Sequence, residues 1–490
     1  MAKRPPNIIV FMDDQEQAQV CLPNHPCKKP YVDKLIREGL QFTRVYTPTA
    51  HSCPARVCYF TGTYPSQGGV YNNVLGHPKI HGTYDPSLMH FSQVLRKAGW
   101  NLGLTGKWHV SDTENPRERG WDEVAPTCLK TDVHGKSWEK WLQQAEKEPV
   151  DNSPRRPGEI IMPGYARQFL YKSEDVPPEE SRHYTGDRQT VDKAIEAMER
   201  YAKEDKPFFI HCGPTGPHDP YIVPKKYVDM YKLEDVPLPP NFGDMLQDKP
   251  HIYQRHRQQL WSQLSEEEVR DSVRHYWAYC TMMDELFGRL YDAVDAMGLR
   301  ENTILIYTSD HGDYCGAHGL YCKGVPSFDE GHRIPLIIRW PEGIERPGRQ
   351  IDEFITLADY AQTFLDIAGK DPIQGPSRSF APFFKSDSVE DWPQEFHGQM
   401  NGVEYYYTQR ICMTKEHKYV FNGFDFDELY DLTIDPHEMV NRVNDPAYEQ
   451  VKLDLVKRMW KFAYGVNDTI AIAYWTCALL PWGPLTGLRD

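Results

Sequence analysis

The sequence predicts an α/β protein: a large mixed, mostly parallel sheet sandwiched by helices, followed by a smaller C-terminal α+β subdomain. Two observations carry this. From residue 7 to about 340, short and nearly continuous apolar runs alternate with helix-periodic stretches, the order that buries a parallel sheet between helical layers. After about residue 385 hairpin-like runs closed by turn residues take over. A chain of 490 residues exceeds one small core, and it divides at this change into a main domain, 1–384, and a C-terminal subdomain and tail, 385–490.

The elements follow in order. "NIIVFM" is the first strand, and "YVDKLIREGL" has the apolar spacing of a helix. "FSQVLRKAGW" reads as a helix and "NLGLTGKW" as the strand after it. "DRQTVDKAIEAMERYAKE" is strongly helix-periodic, with Asp187 as a candidate cap, and it leads into the buried strand "KPFFIHC". "VRHYWAYCTMMDELFGRLYDAVDAMG" predicts a long amphipathic helix, with the strands "NTILIYTSD" and "IPLIIRW" beyond it. Two stretches near 122–182 and 224–268 are rich in proline and charge, and they read as surface insertions able to shape a pocket. "KEHKYVFNGFDFDELYDLTIDP" reads as a β-hairpin running into a turn.

Composition narrows the partners. The net charge of −15 argues against nucleic acid or an anionic membrane as the main partner, while leaving room for a local cationic pocket. The start "MAKRPPNIIVFMDD" has no apolar signal core and no cleavage site, which points to a cytoplasmic protein, although a chain whose signal peptide had been removed would begin the same way. Eleven irregularly spaced cysteines read as reduced thiols, and Cys53 with Cys58 is not a zinc pair by spacing. "IAIAYWTCALLPW" is too short for a membrane span and ends in proline. The apolar tail "WTCALLPWGPLTGLRD" needs a covering surface: its own domain, or a second copy in a homo-oligomer.

The chemistry stands at the ends of the strands. Asp13 and Asp14 end the first, Lys107 and His109 follow "NLGLTG", the loop after "FFIHC" carries His218, and Asp310-His311 ends "ILIYTSD". In an open parallel sheet, ligands bind beyond the carboxyl ends of the strands, so four strands deliver carboxylates, imidazoles and a lysine to one edge. Asp13, Asp14 and Asp310 are hard oxygen ligands suited to Ca²⁺, Mg²⁺ or Mn²⁺, and His311 adds a nitrogen. Lys107 and Lys323 suit anionic oxygens, and His109 and His218 suit proton transfer near neutrality. "HSCPARVCYFTG" supplies Ser52, Pro54 and Arg56 where a helix can begin. Proline belongs in a first turn, Ser52 then meets the positive end of the helix, and Arg56 adds a fixed charge about one turn on. This suits an activated oxygen nucleophile. It equally suits a serine cap with a solubilising arginine.

Taken together, these stretches resemble the sulfatase branch of the alkaline-phosphatase superfamily. "NIIVFMDDQ", "SCPARVCYFTGTYP", "GKWH", "GPHDPY", "YTSDHGD" and "GLYCKG" stand in the family's order, with "FDEGHRIPLIIRWP" and "LYDLTIDPHEM" extending the match. The resemblance implies an alkaline-phosphatase-like fold and hydrolysis of a sulfate ester. It implies that the residue at 52 is oxidised to formylglycine by a maturase. One hydroxyl of the hydrated aldehyde attacks sulfur, and deprotonation of the other expels sulfate. It also implies Asp13, Asp14, Asp310 and His311 around one divalent metal, Ca²⁺ first and Mn²⁺, Mg²⁺ or Zn²⁺ as alternatives. By the same resemblance Arg56 steadies the nucleophile, Lys107 bridges it and the sulfate, His109 is the base, His218 serves the leaving oxygen and Lys323 binds the sulfate.

Three departures matter. Most relatives carry cysteine at position 52, and this chain carries serine. Serine is the precursor in some anaerobic members, and a cysteine replaced by serine would give the same letter. His311 stands where many sulfatases have asparagine, and Asp-His also occurs in phosphonate-monoester and phosphodiester hydrolases of the branch. Gly68 stands where relatives often show histidine. The expected partner is a sulfated small molecule or saccharide. The alternatives are a phosphonate or phosphodiester on the same site, or a silent binding protein with unconverted Ser52.

Overall fold

The computed structural model describes residues 4–73, 85–111, 114–126, 146, 153–161, 167–403, 405–423, 425–471 and 482–487. Its main sheet has eight strands: β1 (Asn7–Asp13), β2 (Leu40–Tyr46), β3 (Asn101–Gly106), β4 (Glu123–Pro126), β5 (Phe208–Gly213), β6 (Thr303–Ser309), β7 (Leu336–Arg339) and β8 (Arg349–Thr356). The order across the sheet is β8-β2-β7-β6-β1-β5-β3-β4. Only β7, "LIIR", runs against its neighbours, pairing antiparallel with both β6 and β2. A short, mostly apolar strand carries no direction in its letters, so the mixed character comes from the return of the chain after β6.

Strand alternation sorts the two layers. Ile8, Val10 and Met12 of β1 pack with Val57 of α2 (Ser52–Thr61), Phe91 of α3 (Phe91–Lys97) and Phe364 of α6 (Asp359–Ile367). Ile9 and Phe11 point the other way, into a core with Leu35 of α1 (Pro30–Glu38), Val191 of α4 (Arg182–Tyr201) and Leu286 of α5 (Glu266–Ala296). Helix α5 opens on a capping box. Ser265 Oγ accepts from the Glu268 amide (3.2 Å), and Glu268 Oε2 accepts from the Ser265 amide (3.0 Å). Helix α4 begins earlier than its periodicity implies. Ser181 caps it, and Asp187 lies inside the helix, buried, with its carboxylate turned to other partners.

The 224–268 stretch is packed structure. It holds a helix over His251–Gln259, and Tyr253 is fully buried with its hydroxyl on Glu428 (2.9 Å). Much of 122–182 lies outside the described residues; the rest holds short strands at Glu159–Ile161, Arg167–Phe169 and Tyr171–Glu174. The C-terminal part is a four-stranded antiparallel meander, β9 (Phe396–Gly402), β10 (Tyr406–Met413), β11 (His417–Asn422) and β12 (Glu428–Asp431), covered by α7 (Glu449–Gly465). Of the apolar tail only 482–487 is described. Trp460 Nε1 of α7 donates to the Trp482 carbonyl at 2.9 Å, so this piece folds onto its own helix. Nine cysteines among the described residues are free thiols, and no described helix is long and apolar enough to cross a membrane.

Candidate active site

The four strands singled out by their terminal residues are neighbours, in the order β6-β1-β5-β3, and all run parallel. Their carboxyl ends therefore open on one edge of the sheet, and the N-terminus of α2 meets them there. Ser52 is the first helical residue, almost fully buried, with His51 extended before it and Pro54 within the first turn. Gly62, at φ +70°, ends the helix in the left-handed conformation that glycine adopts at least cost.

Ser52 Oγ lies 2.9 Å from His311 Nε2 and 3.2 Å from Lys107 Nζ. Lys107 Nζ also contacts the Asp14 carboxylate. Arg56 is wholly buried. Its Nε donates to Asp310 Oδ2 (2.8 Å), Nη1 donates to the Lys107 carbonyl (2.9 Å), and Nη2 lies 3.9 Å from Asp14 Oδ2. The planar guanidinium thus ties the ends of β6 and β3 to the nucleophile's helix, a fork that lysine cannot reproduce. A solubilising surface arginine is ruled out by this burial.

Asp14, Asp310 and His311 bring one ligand atom each within 4.8 Å of one another, all three buried. His311 Nδ1 faces the Gly312 carbonyl at 3.0 Å. A carbonyl only accepts, so Nδ1 carries the proton and Nε2 presents its lone pair toward Asp14 Oδ1 (3.6 Å) and Asp310 Oδ1 (3.7 Å). Asp14 Oδ1 is buried without a hydrogen-bond partner among the described residues. Burial pushes the Asp14 carboxyl up, but Lys107, His218 and Arg56 outweigh it and hold it well below the usual range. Burial pushes His311 down to about 4, so it is neutral at pH 7. Ionised oxygens and a neutral imidazole around an orphaned carboxylate oxygen fit a divalent cation. Two other groupings of ligand-type residues are held by ion pairs instead, Glu395 with Arg458 (2.9 Å) and Glu438 with Lys418 (2.6 Å).

Asp13 lies outside that group of three. It continues the Ile9 and Phe11 face of β1, and one of its oxygens accepts from the Tyr307 hydroxyl, but its Oδ1, like that of Asp14, is buried without a hydrogen-bond partner among the described residues. That hydroxyl also reaches Glu16 Oε2 (2.9 Å) and receives a bond from Lys29 Nζ (2.8 Å). Burial and the Glu16 charge push Asp13 well above the usual carboxylate range. The residue missed by sequence reasoning is Gln15, at φ +74°. Its amide N–H donates to Asp310 Oδ1 (3.2 Å), its side-chain Nε2 donates to Asp219 Oδ1 (2.8 Å), and its Oε1 accepts from Lys323. Alternation gave no signal for it, since it would place Gln15 on the Asp13 face; the positive φ just past the strand end turns it into the site.

Lys323 Nζ contacts His218 Nε2, and His218 Nδ1 faces the Asp219 carbonyl at 2.6 Å. Burial lowers Lys323 and His218 alike, but Asp219 and Asp14 outweigh it for Lys323, which stays protonated, while His218 remains below its ordinary value. His109 is buried with φ +49°, and its Nδ1 has no partner among the described residues. Burial and the charges of Lys107 and Arg56 push it well down. His51, which the sequence did not single out, is depressed by burial and by Lys323, His311 and Lys107. The edge thus gathers Ser52, Arg56, Lys107, His109, His218, Lys323, Asp14, Asp310 and His311 around neutral imidazoles and fixed cations, which suits an anionic ester.

The sulfatase family model matches residues 6–370, and the model described as N-sulphoglucosamine sulphohydrolase, C-terminal, matches 316–464. The chain belongs to the sulfatase family. It is a hydrolase of the alkaline-phosphatase superfamily, with that fold. Among sulfatase relatives, the uncharacterized sulfatase YidJ of Escherichia coli (strain K12) is 28% identical over 492 residues, spanning 98% of this chain and 91% of that protein. The N-acetylglucosamine-6-O-sulfatase of Bacteroides thetaiotaomicron is 24% identical, spanning 92% of this chain and 85% of its own. Among solved structures, the phosphonate monoester hydrolase of Agrobacterium radiobacter shares the fold with a TM-score of 0.74 at 24% identity, covering 94% of this chain and 96% of its own.

Proposed function

We propose that this sulfatase hydrolyses a carbohydrate sulfate ester, with position 52, matured from serine to formylglycine, as the nucleophile. The observation that carries the reading is the Ser52 oxygen, within hydrogen-bond reach of both His311 and Lys107 above the buried Asp14–Asp310–His311 set. Those three residues, with Asp13 Oδ1 at the end of β1, unpartnered among the described residues, would hold the cation, Ca²⁺ first by ligand type, with Mn²⁺, Mg²⁺ and Zn²⁺ as alternatives. When bound, it supplies positive charge that acidifies the nucleophile and neutralises the ester. Formylglycine, when hydrated, supplies one hydroxyl for attack at sulfur and a second through which sulfate departs.

The chain's own residues do the rest. Lys107 holds the nucleophilic oxygen and an oxygen of the sulfate, and Arg56 fixes Lys107 through its carbonyl. Neutral His109 accepts the proton released as sulfate leaves. His218 passes to the departing alcohol oxygen the proton that its Nε2 takes from the Lys323 ammonium, which also faces the sulfate. The carbohydrate class is supported by the glucosamine sulfatase relative. A phosphonate monoester or phosphodiester on the same site is the second reading, favoured by the Asp310-His311 pair and by the phosphonate hydrolase among the solved structures. Rates on 4-nitrophenyl sulfate and 4-nitrophenyl phenylphosphonate, followed by sulfate release from sulfated saccharides, separate the two. Faster sulfate turnover with release from a sugar supports the first reading, and faster phosphonate turnover overturns it.

A further inference from the structure

We propose that Asp187 is a positioning residue: it fixes the loop that carries His218 and thereby the proton delivered to the leaving group. This rests on the assignment of His218 given above. Asp187 lies inside α4, 1% exposed, and makes no ion pair among the described residues. Its two carboxylate oxygens are spent on the loop after β5. Oδ1 accepts from the Thr215 amide (2.7 Å) and the Thr215 hydroxyl (2.8 Å), and Oδ2 accepts from the Gly216 amide (3.0 Å).

The same loop reaches into the site from its other side. The Gly213 carbonyl accepts from the Lys107 amide (2.7 Å), and the Gly216 carbonyl accepts from the Asp14 amide (3.1 Å). The His218 amide donates to the Thr215 carbonyl at 3.2 Å, so His218 is two residues from the clamped peptide and its backbone is hydrogen-bonded back to it. Helix α5 closes the remaining side: a Cβ on Gly216 would lie 2.5 Å from both the Tyr279 ring and the Met283 sulfur. The loop cannot sink toward α5, and among the described residues the Asp187 carboxylate is what ties its amides down to α4. Backbone N–H groups satisfied by one buried carboxylate have no alternative partner there if it is lost. Asparagine at this position would turn an NH₂ donor toward one of three donors, so the loop must move.

The consequence is specific. A displaced His218 matters little when the leaving group is a good one, since 4-nitrophenolate departs without a proton. It matters greatly for an alkyl or sugar alkoxide, where a general acid contributes about 10²–10⁴-fold. The experiment compares Asp187→Asn and Thr215→Val with the wild type on a 4-nitrophenyl and an alkyl sulfate ester. The same leaving-group pair is also run as phenylphosphonates, all at about pH 8, above the value of about 6 to which burial raises Asp187. Asp187→Asn is expected to lose about tenfold or more on the alkyl ester relative to its loss on the nitrophenyl ester. Thr215→Val, which deletes one of the three bonds and keeps the fold, is expected to show a smaller loss of the same selectivity.

Equal losses on both leaving groups, or none, would overturn the proposal; if Asp187→Asn does not fold, Thr215→Val decides. A wild type that turns over neither sulfates nor phosphonates would overturn the functional reading, and the positioning role with it. A wild type that prefers phosphonates changes the substrate and leaves the leaving-group comparison intact.

Discussion

Replacing Arg56 by lysine keeps the charge and removes the fork. Arg56 is 0% exposed and anchors two partners, Asp310 through Nε and the Lys107 carbonyl through Nη1. A single ammonium can serve one of them. The lost charge-assisted bond is worth about 1.5–3 kcal/mol. If it is expressed in the transition state, kcat/KM falls about 10- to 150-fold. Arg56→Ala goes further, leaving two buried carboxylates facing an absent cation. At about 3–5 kcal/mol for breaking a buried pair, the expected loss is roughly 150- to 5,000-fold. The assay is turnover of 4-nitrophenyl sulfate by metal-loaded enzyme, with urea unfolding run alongside to separate misfolding from lost catalysis. A lysine variant within threefold of wild type, at unchanged stability, would refute the claim that the fork, and not the charge alone, positions Lys107.

Two further outcomes follow from the same geometry. Chelation is expected to abolish turnover and a divalent cation to restore it, and Asp310→Asn, which exchanges an ionised oxygen ligand for a neutral one, is expected to retain less metal than wild type, as elemental analysis after dialysis would report. His211 is buried among Tyr59, Phe60 and Trp121 and is pushed down to about 3 by burial. It stays neutral in the fold while the unfolded chain takes up a proton near pH 6.5, so the wild type loses stability as pH falls below that value. His211→Phe removes this term, and its free energy of urea unfolding relative to wild type should improve by about 2 kcal/mol between pH 7 and pH 5. A pH-independent difference contradicts it.

The sequence made the sheet legible because its central strands carry apolar runs and polar residues stand at or just beyond the carboxyl end of each. Those ends are β1, β3, β5 and β6, and the structure makes them neighbours. Direction was not legible in "IPLIIRW", since hydrophobicity is the same read either way, and β7 runs antiparallel. Adjacent carboxylates were read as one metal pair. The pleat separates their partners: one Asp13 oxygen follows Phe11 into the Tyr307–Glu16–Lys29 network, Asp14 faces the site, and Gln15 reaches it through a positive φ beyond the strand. Helix periodicity begins at Asp187 and makes it the candidate cap, but Ser181 supplies the cap a turn and a half earlier. His51 gave no signal, as its role depends on what the fold brings around it. The 224–268 stretch looked like an open insertion because its polar surface hides a few anchors, Tyr253 above all.

The central claim is that position 52 carries the nucleophile in its matured form. Its most direct test is the mass of the proteolytic peptide containing Ser52, taken from the native host or from cells coexpressing a serine-type maturase. The account predicts a peptide lighter by two hydrogens, with an aldehyde that reacts with hydrazines. An unmodified serine in that material would contradict it, leaving the site to a serine alkoxide or to binding alone.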